Sequence, residues 1–85
     1  SEDMSFEDAC EKVKGITNIS NEELLEVYAL YKQAVVGDCD IPAPEETDEK
    51  GHAKWTAWDG KRGMSSDDAK TSYVALVDIL AQMAE

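Results

Sequence analysis

The sequence predicts an all-α protein, and three observations carry that prediction. Apolar residues recur at intervals of three and four in four separate segments, the spacing that lines one face of a helix. No segment alternates polar and apolar residues convincingly with period two, the mark of a half-buried strand. Serine-led acidic tetrads and isolated glycines stand where those segments should begin and end.

In the first segment, Phe6, Ala9, Cys10 and Val13 follow i, i+3, i+4, i+7 spacing, and Gly15 supplies a stop. Ser20-Asn-Glu-Glu23 is a capping box for the second helix, whose apolar side is expected to include Leu24, Leu25, Tyr28, Tyr31 and Val35. Gly37 can adopt positive φ and should end it. A shorter third helix is expected from Gly51 to Trp58, closed by Asp59-Gly60. Ser65-Ser-Asp-Asp68 caps the last helix, continued by Ala69, Tyr73, Leu76, Val77 and Leu80. Between the second and third helices, the stretch from Asp38 to Lys50 holds Pro42, Pro44 and many acids without apolar period. Connections this long in a compact domain are uncommon and often functional. This one is expected to bring Lys32 and Lys50 to opposite sides of one cleft.

Length allows one small domain, 1–85, with a single modest core. Hydrophobic residues make up 42% of the chain against 32% charged, which favours a folded state over disorder. No apolar run approaches the ~20 residues of a membrane span, and no charged-then-apolar leader precedes Phe6. A soluble, cytoplasmic protein is expected, with no stable membrane insertion. Cys10 falls on an apolar helix face and Cys39 in a loop. Neither has a partner histidine at metal-ligand spacing, so both read as free thiols in a reducing compartment.

The net charge of -11 comes from 19 acids against 8 basic residues. Such a surface repels nucleic acid over long range, so no nucleic-acid partner is expected. An anionic ligand would have to be held by a local cluster of cations, which makes the few lysines informative. Lys50 and Lys54 share a helix face; Lys32 and Lys14 each precede a helix-ending glycine. Cations at helix C-termini also complement the dipole, so a purely structural account stays open for Lys14 and Lys32. Tyr28 and Tyr31 can share a surface with Lys32, although a tyrosine stripe at this spacing also suits a core. Trp55 and Trp58, three apart, are read as structural anchors.

Catalysis finds no support: there is no glycine-rich phosphate loop, no nucleophile elbow and no second histidine beside His52. The acids from Asp38 to Glu49 mimic a calcium loop, but Pro42 has no side-chain oxygen and Ala43 occupies the position that needs glycine. A non-enzyme without metal or cofactor is expected.

The run Tyr28-Ala-Leu-Tyr31-Lys32-Gln-Ala-Val-Val-Gly37-Asp38, followed by Ala53-Lys-Trp-Thr-Ala-Trp58, resembles the small acyl-CoA-binding proteins. The resemblance extends over nearly the whole chain. It implies a four-helix up-down-down-up bundle that binds, buffers and transports medium- to long-chain fatty acyl-CoA without covalent chemistry. It implies that Lys32 and Lys54 meet the 3′-phosphate, that the Tyr28 position contacts phosphate and that Tyr31 stacks on adenine. Lys14 and Lys50 would reach the rest of the nucleotide or acyl chain, Leu25 the acyl chain, and Tyr73 would close the site. The implied state is a monomer with acyl-CoA-using enzymes as transient clients. The competing reading is a small acidic helical protein-interaction module with no lipid ligand. The chain departs from the resemblance at Glu45-Glu46-Thr47-Asp48-Glu49, where relatives carry apolar residues and an aromatic, and at Lys61, where leucine is usual. Carboxylates near the acyl groove should weaken binding or shift the chain-length optimum.

Overall fold

A computed structural model describes residues 4–84. Among them lie four helices, α1 (Phe6–Lys14), α2 (Asn21–Val35), α3 (Glu49–Asp59) and α4 (Ser66–Met83), and no strand. Each start is fixed by a side chain that takes up a backbone N–H with no intrahelical partner. Ser20 Oγ accepts from the Glu23 N–H at 3.1 Å while the Glu23 carboxylate accepts from the Ser20 N–H at 3.0 Å. Ser5 and Asp8 make a second reciprocal box that opens α1, and Ser65 caps α4. The third helix begins at Glu49, two residues before the expected Gly51, because Asp48 is its cap and accepts from the Gly51 N–H at 3.1 Å. At the end of α2, Gly37 has φ 102° and its N–H donates to the Lys32 carbonyl at 3.2 Å.

The helices pack in the spatial order α3, α2, α4, α1. Lys54 lies over Tyr28 and, one turn further along both helices, Lys32 over Trp58, so α2 and α3 run parallel. The end of α2 meets the start of α4, where Ser66 Oγ donates to the Ala34 carbonyl at 2.6 Å, so that pair is antiparallel. Phe6 at the start of α1 packs on Tyr73 with centroids 5.0 Å apart, while Ile16, just beyond its end, shares a crevice with Leu80, so α1 follows α4. The result is the up-down-down-up bundle.

Ala9, Val27, Leu30, Tyr73, Val77 and Leu80 form the core between α1, α2 and α4. The apolar side expected for α2 is therefore not its buried side. Leu24, Tyr31 and Val35 are 47%, 41% and 50% exposed, and burial falls instead on Val27, Ala29, Leu30, Gln33 and Ala34. The helix is apolar over more than one stripe, and periodicity alone does not say which stripe finds a partner.

The connection from α2 to α3 is held by side chains aimed at its carbonyls. Trp58 Nε1 donates to the Gly37 carbonyl, Trp55 Nε1 to Ile41 and Arg62 Nη2 to Cys39, each at 2.8 Å. Asp38 accepts from the Gly63 N–H and from Gln33 Nε2, both at 2.9 Å. The Gly63 and Gln33 hydrogen bonds, with the nearby Arg62 charge, hold the Asp38 carboxyl below the usual carboxylate range. Cys39 is buried and Cys10 half-buried, and both are free thiols. No described helix is long and apolar enough to cross a membrane.

Candidate functional site

A cavity of about 400 Å³ opens between α2 and α3. From α2 it takes Asn21, Leu24, Leu25 and Tyr28; from α3, Glu49, Lys50, Ala53 and Lys54. Both sets are rows at three- and four-residue spacing, so each helix offers one continuous stripe. These are the stripes that the α2–α4 core leaves uncovered. Because the helices run parallel, the first residues of both, Asn21 and Glu49, fall at one end of the cavity. Tyr28 and Lys54 form the other end, about 10 Å further along α2 at 1.5 Å per residue.

The Tyr28 end is cationic and aromatic. Lys54 Nζ lies 5.4 Å from the Tyr28 ring centroid, and Lys32 Nζ lies 4.8 Å from that of Trp58. Among the described residues, Lys32, Lys50 and Lys54 have no carboxylate within 4.0 Å. Of the other cations, Lys14 pairs with Glu11 at 3.1 Å, Arg62 with Asp59 at 2.8 Å and Lys61 with Glu26, whereas Lys12 and Lys70 likewise have no carboxylate within 4.0 Å among the described residues. In a chain of net charge -11, Lys32 and Lys54, without a carboxylate partner among the described residues, leave a local positive field at the Tyr28 end, and Lys50 stands beside Glu49 toward the other end.

Of the residues singled out from sequence, Leu25, Tyr28, Lys50 and Lys54 line the cavity, and Lys32 lies one turn beyond it. Tyr31 is 41% exposed and backs onto Phe6 in a stacked arrangement with centroids 6.1 Å apart, leaving an outer surface open to solvent. Tyr73 lies in the core at 3% exposure, beneath Phe6 and Tyr31. Burial and a hydrogen bond with Cys10 raise its pKa above the ordinary phenol value. Lys14 stands on α1, is highly exposed and does not line the cavity. Trp55 and Trp58 also stay out of the lining and hold the α2–α3 connection.

Sequence reasoning did not assign Asn21, Leu24 and Ala53 to the site. The signal was present as spacing: Asn21, Leu24, Leu25 and Tyr28 make one stripe, and Ala53 joins Glu49 and Lys50 on the next. Of the three glutamates expected near the groove, Glu49 lines it, while Glu45 and Glu46 are exposed on the connection and outside the lining.

Four helices in this order, with a cleft that is cationic at one end and apolar in the middle, define a small ligand-binding bundle. The family model for acyl CoA binding protein matches residues 3–77, and the chain belongs to that family. It is 53% identical over 78 residues to acyl-CoA-binding protein homolog 1 of Caenorhabditis elegans, an alignment covering 91% of each chain. It is 47% identical over 78 residues to the acyl-CoA-binding protein of Dictyostelium discoideum, covering 91% of this chain and 93% of the relative. The crystal structure of Oryza sativa acyl-CoA-binding protein 2 superposes with a TM-score of 0.91 at 39% identity, covering 93% of this chain and 87% of the other.

Proposed function

We propose that this protein binds fatty acyl-CoA esters non-covalently and carries them as a soluble intracellular pool. The observation that carries the reading is the pairing of an uncovered apolar stripe with three lysines that have no carboxylate partner among the described residues. An amphiphile with a polyanionic head and an apolar tail fits that polarity. Lys32 and Lys54 take the 3′-phosphate through charge-assisted contacts, with Tyr28 beside them. Tyr31 offers its exposed surface to the adenine, a contact worth about 1–3 kcal/mol for a stacked base. Lys50 reaches the remaining phosphates or the head of the acyl chain.

Leu24, Leu25 and Ala53 receive the chain, which gains about 0.8 kcal/mol for each methylene removed from water. Tyr73 acts from beneath, by holding Phe6 and Tyr31 in place. Lys14 contributes at long range or through the nucleotide's outer edge. No step breaks a bond: the protein keeps a thioester out of water and away from membranes, and delivers it by dissociation to enzymes that use it. The working unit is a monomer, in the cytoplasm, with one binding domain.

Titration calorimetry with palmitoyl-CoA, its 3′-dephospho analogue and free palmitate tests the reading. Saturable binding of palmitoyl-CoA, weaker binding of the dephospho analogue and none of palmitate are expected. Equal affinities for the first two would remove Lys32 and Lys54 from the phosphate, and absence of palmitoyl-CoA binding would overturn the function. Release of free thiol during the titration would make the protein an enzyme.

A further inference from the structure

The cavity has a polar group at the end where an acyl tail should find only apolar wall. Asn21 and Glu49 are the first residues of two parallel helices and both line the end remote from Tyr28 and Lys54. Leu24, Leu25 and Ala53 lie between. Glu49 has no cationic partner within 4.0 Å among the described residues, so its carboxylate depends on water and on whatever enters the cavity. The other acids nearby are accounted for differently: Asp48 is committed to capping α3, and Glu45 and Glu46 lie outside the lining.

A saturated chain that runs past Leu25 displaces that water and gives the carboxylate nothing in return, which is unfavourable for an ionised group. A hydroxyl at the same place replaces the water. It donates its proton to the Glu49 carboxylate and accepts from the Asn21 amide, while Lys50, the next residue on α3, also lines the cavity but can only donate. The Glu49 end is open to solvent, which moderates both effects without changing their sign.

We propose that Glu49 and Asn21 form a specificity subsite that selects acyl chains hydroxylated away from the thioester over plain saturated chains of the same length. This rests on the acyl-CoA reading above, with the nucleotide at the Tyr28–Lys54 end. The subsite sets the order of preference among acyl-CoA esters and adds no chemistry.

The experiment measures affinities of octanoyl-, lauroyl- and palmitoyl-CoA and of their ω-hydroxy counterparts by calorimetry. The proteins are wild type, Glu49→Leu and Glu49→Gln, with helicity checked by circular dichroism. For the chain length that reaches the subsite, the wild type should favour the hydroxylated ester by about fivefold, the size of a partly hydrated hydrogen bond to a charged group. Glu49→Leu should reverse that order by tightening the saturated ester. Glu49→Gln should lie between, because it keeps the shape and an acceptor but loses the charge. A 2-hydroxyacyl-CoA, with its hydroxyl next to the thioester, should show no preference. If all three proteins bind saturated and hydroxylated esters in the same ratio, the subsite does not exist although acyl-CoA binding stands. If no acyl-CoA binds, the function and this inference fall together.

Discussion

The two sides of α2 are built by different means. Toward α4, Val27 and Leu30 meet Tyr73, Val77 and Leu80, a dry contact stabilised by area removed from water. Toward α3, Leu24, Leu25 and Tyr28 face a cavity, and α3 buries a single residue, Trp58. What fixes α3 there is largely polar and directional: two indole N–H groups aimed at loop carbonyls, and the Gln33–Asp38–Gly63 bonds where the loop leaves α2. One side is held by packing, which resists change. The other leaves its apolar surface uncovered, the surface that the proposed acyl chain would cover. The division of labour within one helix is the main lesson of the fold.

The largest effects should come from cutting into each side in turn. Leu30→Ala should cost about 2–5 kcal/mol of stability, and Trp58→Ala about 3–5 kcal/mol. The two should differ in binding measured where each variant is still folded. Leu30→Ala should keep its affinity for palmitoyl-CoA, whereas Trp58→Ala should lose affinity as well, because it frees the wall carrying Lys50 and Lys54. Denaturant melts paired with calorimetry check this. Equal loss of affinity in both would mean that the sides are not independent.

A step smaller is the contrast between unpaired and paired lysines. Lys54→Ala should weaken palmitoyl-CoA binding by about tenfold or more, the worth of one charge-assisted contact, and leave the melting temperature of the free protein nearly unchanged. Lys14→Ala, which removes an exposed pair with Glu11, should change affinity by less than about threefold. A larger effect at Lys14 than at Lys54 would move the nucleotide away from the Tyr28 end. Hydrogen exchange sharpens the same point. Saturating ligand should protect amides of α3 and of the preceding connection more than those on the α1–α4 side, where packing already protects them.

These differences also explain what the sequence could and could not reveal. The starts at Ser20 and Ser65 were legible because a cap is a bond between residues three apart. Asp48 was lost among its acidic neighbours, and so α3 was placed two residues late. The stripe Leu24, Leu25, Tyr28 was legible as apolar but not as open to the cavity, since which stripe is buried depends on where α4 lands. Leu25, Tyr28, Lys50 and Lys54 line one cavity, a convergence that the family resemblance implied and that spacing within either helix could not show, whereas Tyr73 was placed by its neighbours on α1 and α2. Nothing local announces that Trp55 and Trp58 aim at carbonyls 14 and 21 residues away, or that Gln33 is fully buried with donors to both Asp38 and Met64. Those bonds join distant parts of the chain, and they are the ones that shape the cavity wall.

The smallest expected effect isolates the polar side by pH. Asp38 accepts from Gly63 and Gln33, and its folded-state pKa lies below the ordinary value of 3.8. The unfolded chain therefore binds its proton first as the pH falls, which makes folding less favourable in acid. Asp38 thus contributes its full stabilisation from neutral pH down to about the ordinary carboxylate value. Below that the contribution declines, and it is gone once the pH has passed through the depressed pKa. Asp38→Asn lacks this ionisation, so the gap in stability between wild type and variant should be constant at higher pH and should shrink below about pH 4. Urea melts of both proteins across that range measure it. The Leu30→Ala gap, which involves no titrating group, should stay flat over the same range. If both gaps shrink together, acid is loosening the whole bundle and Asp38 has no separate part in it. If only the Asp38 gap shrinks, the bonds at the end of α2 are a distinct support for the α3 wall, separable from the core by one proton.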